Sequence, residues 1–162
     1  QALNANTTGN SNTATGDRAL ATNTTGFYNT ADGFRTLFSN ITGVSNTALG
    51  FEALFTNTTG NNNTAIGYGA DVTSFALSNA TAIGYNAKVA SSNTLILGGT
   101  GADGVNVGIG TTTPKTKFQV SAGDIYLDDS TKGVIMKSPN AQCWRMTVSN
   151  AGAPIFTSIT CP

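Results

Sequence analysis

The chain has 162 residues, of which only 10% are charged, and its eight basic and eight acidic side chains cancel. Binding to nucleic acid requires clustered Lys and Arg, and the lysines here are scattered. No apolar run approaches the roughly 18 residues that a membrane-spanning helix needs, so we expect no membrane insertion. Apolar residues still make up 39% of the chain. We therefore predict a folded protein with a thin, alanine-rich core, whose large apolar side chains are shared between subunits.

A 17-residue repeat runs without insertion from residue 2 to residue 86. Its most regular segment is Asn-Thr-Ala-x-Gly, which begins at Asn12, Asn29, Asn46 and Asn63, whereas the fifth copy has Ala80 in place of Asn. The period is too short for a two-helix repeat, and Asn, Thr and Gly are poor helix formers. Two short apolar patches separated by turn residues predict one coil of a β-solenoid per repeat, five coils in all, in a solenoid domain over residues 1–98.

Stacked coils lie about 4.8 Å apart, so that equivalent residues form ladders along the stack. We expect the repeat core to consist of Leu3, Leu20, Leu37, Leu54, Ile66 and Ile83. Two tracks of asparagine are expected to form hydrogen-bonded ladders from coil to coil: Asn6, Asn23, Asn40 and Asn57 in one, and Asn12, Asn29, Asn46 and Asn63 in the other.

The aromatic residues exceed what a thin coil can enclose. We expect some of them to lie at an interface between chains; the alternative is that they decorate the surface of a monomer. The residues concerned are Phe27, Tyr28, Phe38, Phe51, Phe55 and Tyr68.

Two segments resemble known families. Asn-Thr-Ala-Ile-Gly-Tyr at residues 63–68 and Ala-Thr-Ala-Ile-Gly-Tyr-Asn-Ala at residues 80–87 resemble the head of trimeric autotransporter adhesins, and the likeness covers residues 2 to 98. It implies a left-handed parallel β-roll in which three chains pack side by side. Val107–Pro114, followed by Lys117–Val120, is similar to the neck of phage tail-fibre and bacterial surface-fibre proteins.

The composition changes after residue 98. Residues 99–123 are predicted to form a Gly-rich neck, and residues 124–162 a small antiparallel β domain. We expect its strands over residues 124–129, 134–137, 143–148 and 155–161. Four residues are expected to form the apolar core face of the last hairpin: Trp144, Met146, Val148 and Phe156.

The chain contains two cysteines, Cys143 and Cys161. A hairpin centred on Gly152 pairs Thr147 with Thr157 and places the two cysteines directly opposite one another. Opposed residues are close to the separation that a disulfide requires, so we predict an intrachain bond. The alternatives are a reduced pair or a bond between chains. A disulfide indicates an oxidising, extracytoplasmic compartment.

Two motifs of ligand-binding proteins match the sequence but lack the structural context that binding requires. Residues 99–104 match G-x-G-x-x-G, but the following segment is not helical, as a dinucleotide site requires. Residues 98–105 match one calcium-binding nonapeptide, and those motifs act in successive copies. The chain has no His, which excludes the usual serine triad. We expect no catalytic residues, metal or cofactor; an enzyme acting on polysaccharide would need paired carboxylates in a groove.

Asn-x-Ser/Thr sequons follow from the repeat and are weak evidence for glycosylation. They occur at Asn6, Asn23, Asn40, Asn57, Asn62 and Asn79.

The expected function is structural. The chain opens at Gln1, as a mature secreted form would, and the first coil begins at residue 2 with no preceding cap. Such an edge suits docking of trimers head to tail into an open, extracellular filament. The alternative function is an adhesin head or phage tail-fibre tip that binds a host-surface glycan or protein.

Overall fold

The computed structural model describes residues 1–129 and 131–162. Their regular structure consists of short β-strands and one 3-10 turn, Gly101–Asp103. The first eight strands are β1 (Thr13–Thr15), β2 (Thr30–Asp32), β3 (Thr47–Leu49), β4 (Thr64–Ile66), β5 (Asp71–Val72), β6 (Thr81–Ile83), β7 (Lys88–Val89) and β8 (Leu95–Leu97).

Six of these strands form one parallel sheet in the order β1-β2-β3-β4-β6-β8. The register places the same repeat position above itself, for example Ala31 beside Ala48 and Ala48 beside Ala65. β5 and β7 form a second, two-stranded parallel sheet. The structure thus confirms a β-solenoid with coils of 17 residues.

The stack continues beyond the last recognisable repeat. β8 pairs with β6, and Thr81 lies beside Leu95, only 14 residues further along the chain. The last coil is therefore shorter than the others by three residues. This coil lacks the Asn-Thr-Ala-x-Gly motif, so the sequence repeat did not predict it.

The solenoid interior is narrow because its strands contribute alanine. The middle residue of β2, β3, β4 and β6 is buried, whereas its two neighbours point outward. Strand alternation therefore exposes Ile66 and Ile83, since each directly follows a buried alanine. The expectation that these two isoleucines belong to the core is wrong.

Leucine fills the opposite side of the interior. Leu20, Leu37 and Leu54 are fully buried, and Leu3 is partly buried against them. All four have a positive φ of 48–51°, a backbone conformation that L-residues other than Gly, Asn and Asp seldom adopt. Burial of the leucine side chain offsets the conformational strain of the positive φ at the tight corner of each coil.

The corner after each strand requires glycine. Gly33 has a φ of +133°, and a Cβ atom there would lie 2.7 Å from the Gly50 carbonyl oxygen in the next coil. Only a residue without a side chain permits both the backbone angle and the close stacking of coils.

The chain forms two compact units. One comprises Gln1–Val107 with Pro114–Gln119, and the other Gly108–Thr113 with Val120–Pro162. The remaining strands are β9 (Val107–Ile109) and β10 (Phe118–Val120), which pair, followed by β11 (Val134–Lys137), β12 (Cys143–Val148) and β13 (Pro154–Ile159).

The second unit contains a small antiparallel sheet in the order β11-β12-β13, as expected for the C-terminal part. Residues 124–129 are not a strand, which corrects the sequence-based expectation. The three consecutive residues Ile125, Tyr126 and Leu127 carry a strand propensity, but no described strand of this sheet pairs with them.

The hairpin register differs by two residues from the expected one. Cys143 lies beside Ile159, and Thr147 beside Ile155. The turn is tighter than predicted: the Ser149 amide donates to the Ala153 carbonyl at 2.8 Å, which closes a shorter loop. A shift of two leaves every side chain on its predicted face.

Cys143 and Cys161 form a disulfide, with their Cα atoms 5.2 Å apart. Cys161 lies beyond the end of β13, so the bond joins a strand to the segment that follows the sheet and not two directly opposed strand residues.

Candidate functional site

The solenoid surface carries an apolar stripe made of two adjacent columns. The first column is the outward residue at the end of successive strands, and the second lies two residues further along each coil. The apolar stripe consists of Leu49, Ile66, Ile83 and Leu97 in the first column and Phe34, Phe51, Tyr68 and Tyr85 in the second; all eight are exposed. With coils about 4.8 Å apart, the stripe follows the stack for about 14 Å or more.

The aromatic column of the stripe is a continuous stack. The ring centroids of Phe34 and Phe51 are 5.3 Å apart, those of Phe51 and Tyr68 4.7 Å, and those of Tyr68 and Tyr85 5.5 Å. The planes are nearly parallel, at 16°, 7° and 27°. Each inner ring therefore has both faces covered by its neighbours and presents its edge to the surroundings.

Only part of the stripe was foreseen. Phe51 and Tyr68 belong to the expected interface, whereas Phe34 and Tyr85 were missed although they share the same repeat position. Phe27 and Tyr28 contact each other edge to face at a different corner of the coil.

Phe38 and Phe55 form a separate stack with centroids 5.3 Å apart. The Arg35 guanidinium lies over both rings, 5.0 Å from Phe38 and 4.6 Å from Phe55. Arg35 also pairs with Glu52 at 2.6 Å. The Arg35 cation thus has its counter-ion and its aromatic partners within the chain, while its Nε atom is buried and makes no hydrogen bond with the described residues.

The first asparagine ladder runs through the interior. Asn23 Nδ2 donates to Asn6 Oδ1 at 2.9 Å, Asn40 Nδ2 to Asn23 Oδ1 at 2.8 Å, and Asn57 Nδ2 to Asn40 Oδ1 at 2.9 Å. Asn23, Asn40 and Asn57 are completely buried. The side chains thus link one coil to the next, as the repeat predicts.

The second ladder uses the backbone as well. The amide N–H of Asn29 donates to Asn12 Oδ1 at 2.9 Å, that of Asn46 to Asn29 Oδ1 at 3.0 Å, and that of Asn63 to Asn46 Oδ1 at 2.9 Å. Asn63 Nδ2 also donates to Asn57 Oδ1 at 3.0 Å, which joins the two ladders.

Asp71 occupies the repeat position after Leu54 in the leucine track. It is almost completely buried, and its carboxylate accepts hydrogen bonds from the amide and the hydroxyl of Thr56 and from the Val72 amide. Lys88 Nζ lies 3.9 Å away. Burial raises the pKa of Asp71 above its ordinary value, although the hydrogen bonds and Lys88 oppose the shift.

The Gly-rich segment that matches two ligand-binding motifs is held by the solenoid itself. Its only acidic side chain, Asp103, accepts a hydrogen bond from Asn86 Nδ2 at 3.1 Å. The segment forms a short 3-10 turn instead of the start of a longer helix, which does not fit a dinucleotide site.

One face of the C-terminal sheet is also apolar and open. The register aligns Val134, Met146 and Phe156 in one row and Met136 with Trp144 in the next. Trp144 and Met146 are half-buried, and Val148 and Phe156 are exposed. The predicted core face of the hairpin therefore has the expected composition but is not covered within the unit.

No family model, curated protein or solved structure matches this chain. Over the residues that the structure describes, no helix has the length and apolar character required to cross a bilayer.

Proposed function

We propose that the protein is a non-enzymatic structural subunit of a secreted extracellular fibre, and that it assembles as a homotrimer through the apolar stripe. The observation that carries the proposal is the stripe itself, in which eight large apolar side chains are aligned by the repeat and exposed together. Contiguous exposed apolar surface of this kind is typical of protein–protein interfaces.

The chemistry of the stripe favours a second copy of the chain as its partner. The stripe carries no charged residue, so nothing in it selects an acidic or a basic partner. Its two columns differ in shape, one of branched aliphatic side chains and the other of ring edges. The aliphatic column of one chain can pack against the aromatic column of the next, and a heterologous contact of this kind gives a closed ring when the rotation between neighbouring chains closes. A ring of three agrees with the trimer that the adhesin-head resemblance implies.

The proposed fibre grows along the solenoid axis. β1 is the outer strand of the six-stranded sheet, and β2 is its only strand partner in the described chain. We propose that trimers dock end to end along this axis by strand pairing, which gives an open filament. The disulfide agrees with an extracytoplasmic location.

The experiment separates lateral association from filament growth. Sedimentation velocity and negative-stain electron microscopy are applied to the purified protein, to Ile66→Glu and to Ser45→Glu. Ile66 lies in the stripe, whereas Ser45 is an exposed residue at a polar corner. A buried, unpaired carboxylate is costly, so Ile66→Glu is expected to yield monomers, while Ser45→Glu keeps the trimer mass.

Long filaments of uniform width formed by the unaltered protein support the complete proposal. A unit of monomer mass, or equal behaviour of the two variants, contradicts trimerisation through the stripe. Discrete trimers that never polymerise contradict the fibre and leave the lateral contact intact.

The second candidate is an adhesin head that binds a host-surface glycan. The exposed hydroxyl-bearing rings of Tyr68 and Tyr85 favour it. The stacking geometry argues against it, because sugar rings pack on aromatic faces and the faces within this column cover one another. Binding of isolated trimers to a glycan array, lost on Tyr68→Ser, would favour this function over the fibre.

A further inference from the structure

The six Asn-x-Ser/Thr sequons separate into two classes in the structure. Asn6, Asn23, Asn40 and Asn57 belong to the first ladder, and the last three are completely buried. Their Nδ2 atoms donate within the solenoid, for example from Asn40 to Asn23 Oδ1 at 2.8 Å and to the Gly43 carbonyl at 3.1 Å. Asn62 and Asn79 are exposed.

Asn62 lies at a polar corner of the coil, four residues before Ile66 of the stripe. Its φ is 57°, and Ser11, Tyr28, Ser45 and Asn79 occupy the equivalent position with similar angles. The corner therefore does not require asparagine for its backbone conformation.

The Asn62 side chain differs from the others in its hydrogen bonding. Within the described part of the chain its carboxamide makes no hydrogen bond, and only its backbone amide donates, to the Val44 carbonyl at 3.0 Å. Asn79 Nδ2 donates to Asn93 Oδ1 at 3.0 Å. Asn62 is thus the sequon asparagine whose amide nitrogen is both exposed and unengaged.

The hydroxyl of the Asn62 sequon is also suitably placed. Thr64 is the first residue of β4 and lies outward, on the side opposite the buried Ala65. Asn62 and Thr64 therefore face the same surroundings, and neither belongs to the apolar stripe.

We propose that Asn62 is an N-glycosylation site, with an oligosaccharide linked to an isoprenoid phosphate or diphosphate as the donor. The Asn62 Nδ2 atom forms a bond to the anomeric carbon of the glycan and loses a proton. The bond between the anomeric carbon and the phosphate oxygen breaks, and the lipid phosphate leaves with the electron pair. The glycan extends from the polar corner and leaves the stripe free for self-association.

The same geometry excludes glycans at the buried sequons. A sugar on Asn23, Asn40 or Asn57 replaces a hydrogen of an amide that links two coils, in a site with no exposed surface. Folded protein should therefore carry unmodified asparagine at these three positions, even though their sequence motif is as good as that of Asn62.

The test is site-resolved mass spectrometry of the protein isolated from its natural source. The segment between Arg35 and Lys88 contains no Lys or Arg, so chymotrypsin is used to cut beside the aromatic residues. Electron-transfer fragmentation then distinguishes Asn57 from Asn62 within one peptide. We expect a glycan mass on Asn62 and none on Asn57.

Two variants produced in the same source provide the matched control. Thr64→Ser retains the sequon and should retain the glycan, whereas Thr64→Ala destroys the sequon and should give the unmodified mass. Unmodified Asn62 in the natural protein overturns the proposal, as does a glycan that persists in Thr64→Ala. Neither result depends on the trimer or on the fibre.

Discussion

Replacement of a ladder asparagine by alanine should destabilise the solenoid far more than a surface substitution does. Asn40 is completely buried, and its side chain takes part in three hydrogen bonds: its Nδ2 donates to Asn23 Oδ1 and to the Gly43 carbonyl, and its Oδ1 accepts from Asn57 Nδ2. Each bond contributes about 1 kcal/mol net to stability. Asn40→Ala also leaves Asn23 Oδ1 buried without its donor and opens a small cavity.

We expect Asn40→Ala to lower the free energy of unfolding by about 4–6 kcal/mol, the sum of about 1 kcal/mol for each of the three lost bonds and about 1–3 kcal/mol for the buried, unsatisfied acceptor. Gly43 and Asn57 lose less than Asn23, because the Gly43 carbonyl also accepts from Asn29 and Asn57 also donates to Gly60. The measurement is urea unfolding followed by far-UV circular dichroism, at one fixed protein concentration since association contributes to stability.

Thr42→Ala provides the control, because Thr42 is an exposed residue of the same coil. It should change the free energy of unfolding by no more than about 0.5 kcal/mol. If Asn40→Ala has an effect as small as that of Thr42→Ala, the side-chain ladder does not stabilise the coil stack and the reasoning is wrong.

Three further results are expected. Leu37→Ala should lower the free energy of unfolding by about 2–5 kcal/mol through the cavity that it leaves in the buried leucine track, as urea unfolding can show. Because burial raises the pKa of Asp71, the folded state binds the Asp71 proton more tightly than the unfolded chain does. Binding of this proton therefore stabilises the folded state fully below the unfolded pKa of about 4, and this stabilisation is lost as the pH rises through the folded pKa. Asp71→Asn should remove that decline, so its thermal unfolding midpoint should depend less on pH above about 4 than that of the unaltered protein. Reduction of the Cys143–Cys161 bond, which closes a loop of about 19 residues, should destabilise the second unit by roughly 3 kcal/mol; a midpoint of Trp144 fluorescence unchanged by dithiothreitol would contradict this.

The solenoid could be predicted from the sequence because its repeat is short and strict. A period of 17 fixes which residues lie above one another, and the asparagine ladders follow directly from stacking. Asn23 and Asn40 therefore make the contacts that the repeat alone predicts. The last coil could not be predicted from the repeat, because it is three residues shorter and lacks the repeat motif. Its pairing of Leu95 with Thr81 depends on backbone hydrogen bonding, which does not require the motif.

The side of each coil that faces inward was harder to predict. Ile66 is more apolar than Ala65, so hydrophobicity predicted that the isoleucine would point inward. The interior is too narrow beside this strand for the larger side chain, and Ala65 points inward instead. The C-terminal hairpin presents a related problem. Its faces followed from strand alternation, but its register depends on the turn, and a turn closed by the Ser149 amide shifts Cys143 opposite Ile159.

The inward and outward positions of each coil carry different kinds of residue, and this difference supports the proposal that the protein associates with other chains. The interior is fixed by hydrogen bonds between neighbouring coils, which are complete within one chain for buried residues such as Asn40 and Asn46. A monomer that functioned alone would place polar residues at the outward ends of its strands, as the first two coils do with Thr15 and Asp32. The later coils instead place Leu49 and its apolar successors there. Because the corner glycines and the asparagine ladders already specify the coil, these apolar residues are not needed to form it, and their alignment supports the proposed packing against another chain.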